Sequence, residues 1–255
     1  MPISDYRGPS FRLVRECTSS DLPRDEARPP DQPLLVKRAV RDWPAWTRWS
    51  FDQLAGLRYP DGTEAVGRFQ QGLVEQGATQ PLPVLPVGPY LRELAEAARE
   101  ALPPDVGLLP RAGRSSPVPG ESFRLNWAHM QSFTPNRRYL ADWPALQEFP
   151  ALRWDFDIRT LWPGRRWTWA YMFVGPANTV TGLHQDIHNN WFCQVRGTKE
   201  VILIPPDQTP YMCVSRKYNL GSVLSRINIA ALDRPGREAS EFAKTHGLYA
   251  RVEAG

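Results

Sequence analysis

The chain has 255 residues, a formal net charge of +4 and a hydrophobic fraction of 42%, which suits one domain with a buried core. Its 26 prolines and 10 tryptophans exclude a plain helical bundle and favour a strand-rich, loop-rich body. No basic run exceeds Arg137-Arg138 or Arg165-Arg166, no stretch nears the roughly 18 apolar residues of a membrane span, and Met1 to Leu13 lacks an apolar leader, which argues against nucleic-acid, membrane and secretory roles.

A cytoplasmic protein is therefore expected. The three cysteines, Cys17, Cys193 and Cys213, are widely spaced and contain no CxxC pair, so neither a disulfide framework nor a zinc ribbon is expected. Residues 1–33 read as an extended, proline-rich lead-in, and residues 34–255 as the domain proper. Leu34 to Val40 has the look of a strand. Trp43, Trp46 and Trp49 recur at a spacing of three and read as core anchors. Ser50-Phe51-Asp52-Gln53 has the form of a capping box that opens a short helix.

Residues 60–85 fit no single pattern. Pro89 to Leu102 predicts a helix with Leu91, Leu94, Ala98 and Leu102 on one face, stopped by Pro103-Pro104. A proline-, glycine- and serine-rich loop follows over 103–120. Strands are predicted at Phe123–Trp127, Thr168–Val174, Asn190–Val195 and Lys199–Ile204. The last two are read as a hairpin joined through Arg196-Gly197-Thr198. The fold class is mainly β with N-terminal helices, a β-barrel or sandwich.

The chemistry lies in Thr181-Gly182-Leu183-His184-Gln185-Asp186. Residues two apart on a strand point the same way, so His184 and Asp186 can supply two ligands of a 2-His-1-carboxylate iron site. Alone, a His-x-Asp pair is a weak signal. His188 shares their strand face, but the ends of an i, i+4 strand run lie about 13 Å apart, too far for one metal without a sharp bend. It reads better as a pocket-lining or substrate-facing residue. His129 and His246 read as structural, His246 at the end of a surface helix.

The stretch from Thr181 to Lys199 resembles the Jumonji-C, or cupin-like, oxygenases, and among them the bacterial group similar to the hypoxia-inducible-factor asparaginyl hydroxylase. Arg41-Asp42-Trp43-Pro44-Ala45-Trp46, Tyr139-Leu140-Ala141-Asp142-Trp143-Pro144 and Ile204-Pro205-Pro206-Asp207-Gln208 extend the likeness over most of residues 30–250. The resemblance implies a double-stranded β-helix and Fe(II)/2-oxoglutarate-dependent hydroxylation of a protein side chain or small molecule. O₂ is the co-substrate and 2-oxoglutarate is converted to succinate. It assigns His184 and Asp186 to the metal and Lys199 to the distal carboxylate of 2-oxoglutarate. Thr181 and Tyr139 become hydroxyl donors to that carboxylate, and Asn190 a neighbour of cosubstrate and metal.

In the family, a segment starting Gly-Asp and ending Trp-His supplies the distal histidine, and Gly255 aligns with its first glycine. The expectation is a piece of a longer oxygenase lacking its last strands and the C-terminal helices through which some relatives form homodimers. A catalytically incomplete binding module, or a third ligand from elsewhere in the chain, are the alternatives.

Overall fold

The computed structural model describes residues 8–22, 32–71, 82–100, 117–127, 138–161, 169–219, 222–232 and 236–255. The expected strand at Thr168 therefore begins outside the described residues, as do the end of the predicted helix at Leu102 and His129.

Two short strands open the chain, β1 (Ser10–Leu13) and β2 (Arg15–Cys17), and β2 pairs in parallel with β3 (Leu34–Val36). Residues 10–17 of the 1–33 lead-in are thus woven into sheets, and Phe11 is 1% exposed. The strand expected to reach Val40 stops at Val36, because the chain turns there with Arg38 at φ 58°. Helix α1 (Pro44–Arg48) begins on proline, whose missing N–H is no loss in a first turn. Helix α2 (Phe51–Ala55) opens on the capping box, the Gln53 N–H donating to Ser50 Oγ at 3.1 Å. Trp43 and Trp49 are buried in the core.

The ambiguous stretch supplies β4 (Val66–Gln71) and β5 (Val84–Pro86), followed by α3 (Val87–Glu100). The buried face of α3 is Tyr90, Leu91, Leu94 and Ala95, and Ala98, expected on it, is exposed. Next come β6 (Phe123–Arg124), β7 (Arg138–Trp143), α4 (Ala145–Glu148) and β8 (Met172–Val174). The second half contains β9 (His184–Gln185), β10 (Thr198–Leu203), β11 (Val214–Asn219), β12 (Ser222–Ser225), α5 (Arg237–Phe242) and β13 (His246–Glu253).

Two four-stranded sheets result, β5-β4-β7-β8 and β10-β13-β1-β6, with a three-stranded sheet β11-β12-β9 beside them. Two expectations are corrected. Asn190–Val195 forms no ladder with β10, whose antiparallel partner is β13 in the register Lys199↔Val252. The Gln194 carbonyl instead accepts from the Gly255 N–H at 3.1 Å, while Trp191, Cys193 and Val195 pack on the core from an irregular segment. His246 opens β13 and does not close a helix, because α5 ends at Phe242.

Each four-stranded sheet has its own apolar cluster. Phe69, Leu91, Leu140 and Trp143 are at most 1% exposed on the first, and Phe11, Ile227, Phe242 and Tyr249 likewise on the second. Each such side chain contributes about 1.5–3 kcal/mol by leaving water. The Tyr90 hydroxyl lies 2.8 Å from the Arg138 carbonyl and 3.1 Å from that of Val174, fixing the neighbours of Tyr139 on β7 and of Gly175 past β8.

Candidate metal and cosubstrate site

Strand β9 is short, and its place is set by β12, with Gln185 opposite Val223 and His184 opposite Leu224. His184 Nδ1 lies 2.9 Å from the Gly182 carbonyl, which accepts from it and orients the ring. Nε2 is 4.0 Å from Asp186 Oδ2, and the two side chains are 38% and 40% exposed. Two metal–ligand bonds of about 2.1 Å at the near-right angle of a facial site set the donors about 3.0 Å apart, so the pair has to close by roughly 1 Å to share one ion. An imidazole nitrogen and a carboxylate oxygen are a donor pair that suits Fe(II). Among the described residues no group of three His, Cys, Asp or Glu has metal-binding spacing. His188 is exposed beyond the end of β9.

Both oxygens of Asp186 are held. Asn190 Nδ2 donates to Oδ2 at 2.9 Å, and Ser222 Oγ donates to Oδ1 at 2.6 Å. Asn190, expected near the metal, is therefore bonded to one of the two expected ligands.

A second group gathers around Lys199, half-buried on β10. Its Nζ donates to the Tyr139 hydroxyl at 3.4 Å and lies 5.0 Å from the centre of the Phe192 ring and 5.7 Å from that of Tyr139. Burial alone, with no carboxylate contributing, lowers the ammonium's pKa from its ordinary value. Burial, then the charge of Asp142, pushes the Tyr139 phenol up to about 12, offset in part by a hydrogen bond from Thr181. Phe173 stacks on Tyr139 at 6.3 Å between ring centres. Lysine, tyrosine and threonine thus converge on one place: a fixed cation with two hydroxyls, a recognition set for a carboxylate.

Asp142 connects the two groups. Burial raises its pKa first, and the charge of Asp186 adds to this, while Arg68 and His184 act the other way. On β7 the register slips between Leu140↔Val174 and Trp143↔Met172, so Ala141 and Asp142 stand opposite the single residue Phe173, and Asp142 has φ 48°. A period-two reading of β7 puts Asp142 on the face away from Tyr139, which is why the sequence hides it. Ser222 has no local signal either; only the β9–β12 register reveals it. Phe192 sat inside the recognised stretch and was detectable as an aromatic close to Lys199.

Comparison with known proteins gives the geometry its context. The cupin-like domain family matches residues 20–255. The human bifunctional peptidase and (3S)-lysyl hydroxylase JMJD7 is 26% identical over 191 residues, covering 72% of this chain and 50% of the relative. The Jumonji C domain-containing protein 5 of Drosophila melanogaster is 33% identical over 125 residues, covering 46% and 28%. The lysine-specific demethylase JMJ31 of Arabidopsis thaliana is 29% identical over 105 residues, covering 38% and 19%. The chain thus spans half or less of the length of each of these relatives. No described helix is long and apolar enough to cross a membrane. A matched span of nearly the whole chain, on a body of small sheets with few helices, makes the fold a cupin-type double-stranded β-helix, and the chain belongs to the cupin-like, Jumonji-C domain family.

Proposed function

We propose that the chain carries the metal and cosubstrate side of an Fe(II)/2-oxoglutarate-dependent hydroxylase acting on a protein side chain or small molecule. The observation that carries this reading is the convergence of Lys199, Tyr139 and Thr181 beside the His184–Asp186 pair. His184 Nε2 and Asp186 Oδ2 would hold the metal. Bound iron with 2-oxoglutarate supplies the oxidising chemistry, and the protein's part is placement and electrostatics. Lys199 would bind the distal carboxylate as a point charge, with the Tyr139 and Thr181 hydroxyls donating beside it. Phe192 and Phe173 would flank that contact, and the Gly182 carbonyl orients the His184 ring.

Anaerobic Mn(II) titration with and without 2-oxoglutarate tests the reading, together with succinate release in air. Metal binding strengthened by 2-oxoglutarate and lost in His184→Ala and Asp186→Ala is expected. Mn(II) binding equal in wild type and both variants, or unaffected by 2-oxoglutarate, would sink it. A second reading, a cupin-like binding module without turnover, draws on one observation: two donors, not three, come together among the described residues. It predicts no response to 2-oxoglutarate.

A further inference from the structure

We infer that Ser222 is a positioning residue for the Asp186 carboxylate, one that decides which carboxylate oxygen is offered to the metal. This rests on the iron-site reading above. The two oxygens of Asp186 have different surroundings. Oδ2 faces His184, 4.0 Å from Nε2, and also takes the Asn190 amide at 2.9 Å. Oδ1 is turned toward β12 and accepts the Ser222 hydroxyl at 2.6 Å.

The placement of Ser222 follows from register. Gln185 opposite Val223 and His184 opposite Leu224 put Ser222 across from Asp186. The same ladder sets Leu224, 4% exposed, opposite the imidazole. One strand therefore supplies a hydroxyl for the carboxylate and a buried apolar side chain beneath the histidine.

A half-exposed aspartate at the end of a two-residue strand has a broad, two-fold χ2 preference, so without a second partner its oxygens exchange places. A short hydroxyl bond to Oδ1 stops that rotation and leaves Oδ2 as the single metal-facing donor, which favours one-oxygen coordination. Asn190 cannot do the same work. Its amide sits on Oδ2, the oxygen a metal would use, and must share it or turn aside when an ion arrives. Outer partners of this kind typically alter metal affinity by about 10- to 100-fold.

The test is a Co(II) titration of the full chain, read from the visible d–d bands, which report coordination number as well as occupancy. Ser222→Thr and Ser222→Val are nearly isosteric, both suit a strand, and differ in the hydroxyl alone. Ser222→Ala is the simpler companion. Ser222→Val and Ser222→Ala are expected to bind Co(II) about 10- to 100-fold more weakly with changed band intensities, and Ser222→Thr to keep both properties. Thermal midpoints across the set should agree, since the residue is only half-buried. Equal affinity and identical bands for Ser222→Thr and Ser222→Val overturn the inference and leave the metal reading standing. Wild type that binds no Co(II), or binds it no better than His184→Ala, overturns the metal reading and this inference with it.

Discussion

Lys199 Nζ donates to the Tyr139 hydroxyl at 3.4 Å although β10 and β7 belong to different four-stranded sheets. The contact joins the two sheets through the pair of side chains best suited to grip a carboxylate. It also leaves an ammonium in a half-buried place where only burial acts on its pKa, and acts downward. An anion bound there would offset the cost of burying the ammonium.

Lys199→Met should therefore trade binding for stability. A charge-assisted contact is worth about 1.5–3 kcal/mol, so 2-oxoglutarate binding to the Mn(II)-loaded protein should weaken by at least about tenfold in calorimetry. Without ligand, the sign runs the other way. The lowered pKa means that the folded state binds fewer protons than the unfolded one, between the depressed value and the ordinary lysine value of about 10.4. From this group, wild-type stability should rise with pH across that window and level off below it, where both states carry the proton and the full burial penalty is felt. The unliganded variant should melt higher than wild type near pH 7, and the gap should close as pH rises.

Asp142→Asn should show the mirror-image dependence. Its raised pKa, from burial and then from Asp186, means that the charged form destabilises the fold at pH values above it. The variant should melt higher than wild type near neutrality, and the difference should fade as pH falls and the wild-type carboxyl takes up its proton. A gap that widens on acidification would contradict the placement of Asp142 beside Asp186.

Gly175→Ala should damage the cosubstrate group from behind. A Cβ there would lie 2.4 Å from Tyr139 Cδ2 and 2.9 Å from Cε2, so the ring has to move. Overpacking of this kind costs about 1–3 kcal/mol. Because the displaced ring belongs to the proposed carboxylate-binding set, 2-oxoglutarate affinity should fall along with the thermal midpoint. Gly56→Ala is the control: φ is −82°, and its Cβ would come no nearer than 3.4 Å to any atom. It should be neutral or slightly stabilising.

The sequence carried local rules well and long-range register poorly. The Ser50 capping box and the stop of α3 before its proline pair depend on neighbours a few residues away. His184, Asp186 and Lys199 stood out because their family pattern is contiguous. What was hidden depends on strands far apart in the chain: Ser222 is 36 residues from Asp186, and only pairing brings them together. Asp142 was hidden by a bulge that breaks the alternation on which strand reading relies. The supposed hairpin at Gly197 failed for a related reason. Glycine there has φ 71° and does allow a turn, but the partner of β10 is β13, whose Val252 stands opposite Lys199 from 53 residues downstream.

Asp155 offers a test of what braces the site from outside. This carboxylate is 8% exposed, and it accepts from Arg48 Nη1 at 2.8 Å and from Trp49 Nε1 at 3.1 Å. The ion pair itself contributes little, because the Arg48 side chain is 65% exposed and screened by water. The larger effect lies with Trp49, whose buried N–H loses this acceptor once the carboxylate is gone. Asp155→Ala should therefore cost about 2–3 kcal/mol, Asp155→Asn less, since it keeps an acceptor, and Arg48→Ala less than about 1 kcal/mol. Chemical denaturation followed by tryptophan fluorescence gives that order directly. The effect should also reach the cosubstrate group, because Arg196, in the turn before β10, donates from Nε to the Trp49 carbonyl at 3.0 Å. Loosening Trp49 loosens the turn from which Lys199 is launched, so Asp155→Ala should weaken 2-oxoglutarate binding while Arg48→Ala leaves it unchanged. If Arg48→Ala proved as costly as Asp155→Ala, the exposed ion pair and not the buried indole would be what holds this corner.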